Sequence, residues 1–261
     1  MLYTGNKPES FRKDRLEVRV FPTLEEMGEA AARDAADAIC GMLSVRREVN
    51  MIFAAAPSQE EFLGRLVADR RIDWSGVNAF HMDEYIGLDP GAPQSFGNFL
   101  RQRIFGKVPF RSVNYIDPQA GDPEEECLRY AALLRKYPVD IVCLGIGENG
   151  HIAFNDPGVA DFNDPKDVKV VELDPICRQQ QVNEKCFDTL QQVPARAITV
   201  TVPALLRAEK MFCIVPFANK AKAVRDAVEG PVSEKCPASV LRTRDNVTLY
   251  IDSDSASELS A

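Results

Sequence analysis

Short runs that are apolar at successive positions recur along the chain, separated by segments that begin with helix-start signals. Val49–Ala54 (VNMIFA), Val139–Leu144 (VDIVCL) and Lys210–Val215 (KMFCIV) are the clearest. A strand with one wet face alternates apolar and polar residues; these runs do not, so both of their faces need cover. Leu16–Val20, Val77–Met82, Ala197–Val202 and Val247–Ile251 read as further strands. Thr23-Leu24-Glu25-Glu26 has the form of a capping box opening an Ala-rich helix to about Leu43, and Ser58-Gln59-Glu60-Glu61 opens another toward Val67. A helix is expected from near Ser95 through Phe105, and one around Lys220–Val228. Asp122 caps a further helix that Pro123 opens and that runs to about Lys136. Strands alternating with helices predict an α/β fold with a mainly parallel sheet covered by helices on both faces.

The chain has 261 residues, between one and two domains at roughly 150 residues each. It shows no Gly/Ser linker, composition break or fixed-period repeat, so a single domain over residues 16–261 is expected, after a loose, polar N-terminal extension over 1–15. Gly158–Lys166 reads as a loop that contributes to a lid. No apolar run approaches the ~18 residues of a membrane span, and the start lacks the apolar core of a secretory signal. The net charge is -8 with no long basic run, so nucleic acid and membrane are not expected partners. Seven cysteines, an odd number without a CxxC pair, suit a reduced, cytoplasmic setting, with Cys143 and Cys213 as core residues. With only two histidines, no metal site is expected.

Ligands in an open α/β sheet bind beyond the carboxyl ends of the strands, which directs attention to three segments. After the first, Ser58 stands at a helix start, where free N–H groups and the dipole can hold an anion; a simple helix cap is the plainer alternative. The second is His81-Met82-Asp83-Glu84-Tyr85, whose carboxylates at a buried strand end suit proton transfer. The third begins Gly145-Ile146-Gly147-Glu148-Asn149-Gly150-His151. Its G-x-G-x-x-G spelling suggests a dinucleotide site, but Pro157 and Gly158 limit any helix to a turn or two, and the segment lies mid-chain. The glycines instead let the backbone turn and bring His151 beside a ligand, with Asn149, Glu148 and Asp156 near enough in sequence to fix its tautomer.

His81–Leu88 (HMDEYIGL) and Gly145–Pro157 (GIGENGHIAFNDP) resemble the two signature segments of the glucosamine-6-phosphate deaminase/isomerase family, and Val193-Pro194, Ala197–Val202 and Asn219-Lys220-Ala221 fit as well. The resemblance spans about Leu16 to Asp252. It implies a modified Rossmann-like fold shared with 6-phosphogluconolactonase. It also implies an aldose–ketose isomerase/deaminase of the hydrolase class, converting glucosamine 6-phosphate and water to fructose 6-phosphate and ammonia without an organic cofactor. Asp83 matches the carboxylate that moves a proton through an enolamine, and His151 the residue that assists ring opening. Asn149 and Asp156 match the partners of that histidine. Lys220, Ser58 and Lys185 fall at phosphate-binding positions, Lys185 where the family usually has Arg. A homo-oligomer is common in the family.

Several positions depart from the family pattern. The usual Gly-rich phosphate loop is replaced by Ala55-Ala56-Pro57-Ser58-Gln59, which offers fewer free N–H groups. Asn149 stands in place of Asp, which keeps the shape but removes a charge that stabilises an imidazolium, and Asp156 stands in place of Glu. Relatives acting on galactosamine 6-phosphate resemble this pattern, so the 4-epimer is an alternative substrate. A 6-phosphogluconolactonase-like hydrolase, a non-catalytic sugar-phosphate sensor and a dehydrogenase are the other readings. Ile152-Ala153-Phe154-Asn155 favours the deaminase over the lactonase.

Overall fold

The structure is a computed structural model that describes residues 9–89 and 91–260. The chain runs through β1 (Glu9–Lys13), β2 (Leu16–Phe21), α1 (Leu24–Leu43), β3 (Val49–Phe53), α2 (Glu60–Ala68), β4 (Val77–His81) and β5 (Asp83–Tyr85). Next come α3 (Phe96–Leu100), β6 (Ser112–Asn114), α4 (Pro123–Lys136), β7 (Ile141–Leu144), β8 (Val168–Glu172) and α5 (Pro175–Asn183). The last elements are β9 (Arg196–Val200), α6 (Val202–Leu205), β10 (Lys210–Val215), α7 (Ala221–Glu229) and β11 (Val247–Asp252). Thr23 accepts from the Glu26 amide at 3.2 Å to open α1, and Asp122 caps α4, as the spacing predicts. Ser95 caps α3, whose last turn passes into a π-helical turn at Arg101–Phe105.

Eight strands form one sheet in the order β1-β2-β11-β10-β7-β3-β4-β6, parallel except for the β1–β2 pair. Its central strands, β3, β4, β7 and β10, bury both faces. Met51 and Phe53 join Ile141, Cys143, Phe212 and Ile214 in a core under α1 and α2. Their sequence neighbours Ile52, Val142, Leu144 and Cys213 join the opposite core, with residues of α4 and α7. This is the physical basis of the unbroken apolar runs. From β3 the chain builds outward through β4 and β6, then returns to place β7 on the other side of β3. The strand order therefore reverses between β3 and β7, the place where open α/β sheets hold ligands.

Three expectations are corrected. The segment Ala197–Val202 does not join the parallel sheet. As β9 it pairs antiparallel with β5 and β8 in a separate three-stranded sheet. Its apolar pattern cannot tell the two settings apart, because Ala197, Ile198 and Val200 are buried either way. The loose extension expected over 1–15 holds an ordered strand, since Glu9–Lys13 pairs with β2. Its residues are mostly exposed and charged, which blunts an edge strand and also makes it read as a free terminus; residues 1–8 lie outside those described. Ser58 does not cap α2: Pro57–Gln59 form a single 3-10 turn, and Gln59 leads into the helix without a side-chain cap. Among the described residues no helix is long and apolar enough to cross a membrane.

Candidate active site

The carboxyl ends of β3, β4, β7 and β10 surround one cavity of about 290 Å³. Ser58, Asp83, His151, Lys185 and Lys220 all line it. The sequence-derived site residues thus converge from five separated segments. Asn149 and Asp156 stand behind His151 and reach the cavity through it.

His151 is held by a close hydrogen-bonded set. Its Nδ1 lies 2.7 Å from Asn149 Oδ1 and 3.0 Å from Asp156 Oδ1. The Asn149 amide nitrogen donates to the same Asp156 oxygen at 3.0 Å, so Asn149 Oδ1 is left to accept from the His151 backbone N–H at 3.1 Å and from its ring. Two acceptors at Nδ1 place the proton there and leave Nε2 with a free lone pair. Asp156 is fully buried. Burial alone pushes its carboxyl up, but the hydrogen bond and charge of His151, with Asn149 and the Asp174 amide, bring it below the usual range. Gly147 makes room for the imidazole, since a Cβ placed there would overlap the ring. Gly150 turns the chain with φ +84.

Asp83 is carried to the cavity where the chain leaves β4 and crosses into β5. His81, directly before the crossing, is wholly buried, with Nε2 accepting from the Ile116 amide at 2.9 Å and Nδ1 donating to the Asp83 carbonyl at 2.9 Å. Burial lowers its pKa to about 4, so it is a neutral brace for the Asp83 backbone. The Asp83 carboxyl is pushed well above the usual range by burial, then by the charges of Glu84 and Asp156. Glu84 faces away from this chemistry. It accepts from Ser95 Oγ and from the amides of Tyr85, Phe96 and Gly97 at 2.8 to 3.1 Å, which pins the start of α3. Phe96 and Phe99 of that helix then line the cavity.

Both lysines depend on left-handed backbone. Lys185 itself has φ +59 just past α5, where the amides of Lys185 and Cys186 return to the carbonyls of Val182 and Gln181. Phe217 has φ +81 and sits three residues before Lys220, whose amide donates to the Phe217 carbonyl at 3.0 Å. The buried Asp252 carboxylate accepts the Phe217 amide at 3.1 and 3.3 Å and holds that turn. Lys220 Nζ meets Glu184 Oε1 at 2.9 Å.

One wall escapes the sequence reading. Gln180, Gln181, Glu184 and Cys186, in or just after α5, line the cavity. Asp174-Pro175 was the available signal, the same cap-and-proline start read correctly at Asp122-Pro123. Gly158–Lys166, expected in a lid, contributes no lining residue; Phe162 is tied instead to Glu234 and Lys166 to Glu124. His151, Asp156 and Cys177 bring three ligand-type atoms within 4.8 Å of one another. Asp156 already spends its oxygens on His151, Asn149 and the Asp174 amide, so the group acts as a hydrogen-bond network.

Known proteins resemble this chain in both sequence and fold. The glucosamine-6-phosphate deaminase of Exiguobacterium sibiricum is 38% identical over 190 residues, 73% of each chain. The solved structure of a monomeric glucosamine-6-phosphate deaminase matches with a TM-score of 0.83 and 31% identity, over 92% of this chain and 98% of that one. A 6-phosphogluconolactonase from Shewanella baltica shares the fold at 17% identity, with a TM-score of 0.73 over 90% of this chain and 97% of its own. Residues 22–250 match the family described as glucosamine-6-phosphate isomerases/6-phosphogluconolactonase. On the match over residues 22–250 and the relative that is 38% identical, the chain belongs to this family.

Proposed function

We propose that the protein is an amino-sugar-phosphate deaminase–isomerase that converts glucosamine 6-phosphate and water to fructose 6-phosphate and ammonia. The observation that carries this reading is the convergence of Asp83 and His151 with Lys185 and Lys220 on one cavity. The relatives named as glucosamine-6-phosphate deaminases support it.

In this reading Lys185, Lys220 and Ser58 hold the phosphate and so orient the distant C1 and C2. His151, with its Nδ1 proton fixed, takes the C1-hydroxyl proton at Nε2 and hands it to the ring oxygen as the C1–O5 bond breaks, opening the sugar to its aldehyde. The Asp83 carboxylate then removes the proton from C2, giving an enolamine, and returns a proton to C1. The resulting C2 iminium adds water and releases ammonia. A carboxyl raised by burial suits this work, because it retains the proton between the two transfers. The cationic nitrogen of the substrate favours its ionised form when the substrate is bound.

Asn149 keeps the galactosamine 6-phosphate reading as the second choice, since the histidine's partner lacks the usual charge. The test is release of ammonia and ketose phosphate in equal amounts, lost in Asp83→Asn. Hydrolysis of 6-phosphogluconolactone without ammonia from any amino sugar would overturn the proposal.

A further inference from the structure

Lys220 is only 3% exposed, and its ammonium is already matched: Glu184 Oε1 lies 2.9 Å away. Gln180 Nε2 donates to the same oxygen at 2.8 Å. The other end of Gln180 accepts from the Glu148 amide at 2.9 Å, and the Glu148 carboxylate accepts from Asn219 at 2.8 Å. These contacts tie the end of α5 to the turn after β7 and to the turn that carries Lys220.

Charge counting makes this arrangement informative. Lys185 and Lys220 bring two positive charges to the cavity and Glu184 cancels one. A phosphate monoester carries about two negative charges near neutral pH. If Glu184 stayed in place, three negative charges would face two positive ones. If its carboxylate yields, two face two. Glu184 is the C-cap residue of α5, outside the regular helix, and its side chain is 14% exposed, so it has a route toward solvent.

We infer that Glu184 sets the affinity of the anion subsite: its carboxylate occupies the place on Lys220 that a phosphate ester takes, and binding exchanges one ion pair for the other. This rests on the phosphate-binding role proposed for Lys220 and Lys185. Glu184 thereby weakens binding of the phosphorylated sugar and hastens its release. No covalent bond changes in the exchange.

The test uses the full chain and inorganic phosphate as the probe, measured by titration calorimetry. Glu184→Gln keeps the size and can still accept from Gln180 and Lys220, but lacks the charge; Glu184→Ala removes the group altogether. Thermal melts confirm that each variant is folded. The dissociation constant for phosphate is expected to fall about tenfold in both, because the anion no longer has to displace a carboxylate from Lys220. Phosphate that binds the wild type and binds both variants equally or more weakly would overturn the inference and leave the phosphate subsite standing. Phosphate that binds neither the wild type nor the variants would overturn the subsite itself, and the inference with it.

Discussion

The Nδ1 of His151 lies 2.7 Å from the side-chain oxygen of Asn149, an amide that also donates to Asp156 at 3.0 Å. Asn149 therefore links the imidazole to the buried carboxylate without adding charge. Asn149→Asp replaces the donated bond with two adjacent carboxylates and stabilises the protonated ring. The acidic limb of the kcat/KM profile is expected to move to higher pH, read from rates between pH 5 and 9. A limb that stays in place would show that this pair does not govern the proton on His151.

Gly147 gives the clearest steric test. A methyl group there overlaps the His151 ring, and a displacement of about 1 Å in a catalytic group costs about a hundredfold in rate. Gly147→Ala is expected to lose that much kcat while remaining folded by circular dichroism. Near-normal kcat would mean that the ring position is not critical.

Asp83 links function to stability through a worked sign. Its folded pKa is raised, so its contribution to stability falls as pH rises from the unfolded-state value toward the folded one. Asp83→Asn cannot ionise and escapes that loss. The variant is expected to lose turnover yet melt higher than the wild type, by roughly 1–3 kcal/mol in stability, with the gap widening from pH 5 to pH 8. A variant that melts lower at every pH would contradict the buried-carboxylate account.

Lys220 supplies a binding test. Removing one partner of a buried charge pair costs about 2–5 kcal/mol, so Lys220→Met is expected to raise KM for the phosphorylated sugar by roughly a hundredfold. An unchanged KM in steady-state assays would remove Lys220 from the phosphate site.

Phe217 gives a backbone test. A bulky residue at φ +81 costs about 1–3 kcal/mol that glycine would not. Phe217→Gly is expected to keep the turn and the KM, whereas Asp252→Ala, which strips the turn of its acceptor, is expected to raise KM. Equal kinetics in the two variants would mean that Asp252 does not position Lys220.

Much of this site was legible because its parts follow apolar strands closely. Asp83 comes two residues after the end of β4, and the Gly145–His151 turn directly follows β7, so strand-end logic found both. The three-stranded sheet was hidden for a physical reason: β5 is only Asp83–Tyr85, polar and brief, and β9 has the same apolar run as a parallel strand. Glu184 was illegible because its meaning lies in a contact with Lys220 across 36 residues of sequence. In sequence alone, Ser58 fits either an anion site or a helix cap. The 3-10 turn at Pro57–Gln59 removes the cap and leaves Ser58 facing the cavity.

The central claim is amino-sugar-phosphate deamination, and one assay addresses it most directly. Purified protein is incubated with glucosamine 6-phosphate and galactosamine 6-phosphate in parallel, with ammonia and ketose phosphate measured in the same tubes. Ammonia matched one-to-one by fructose 6-phosphate from glucosamine 6-phosphate is the expected result. Matched products from the 4-epimer alone would reassign the substrate and keep the chemistry; no ammonia from either sugar would contradict the account.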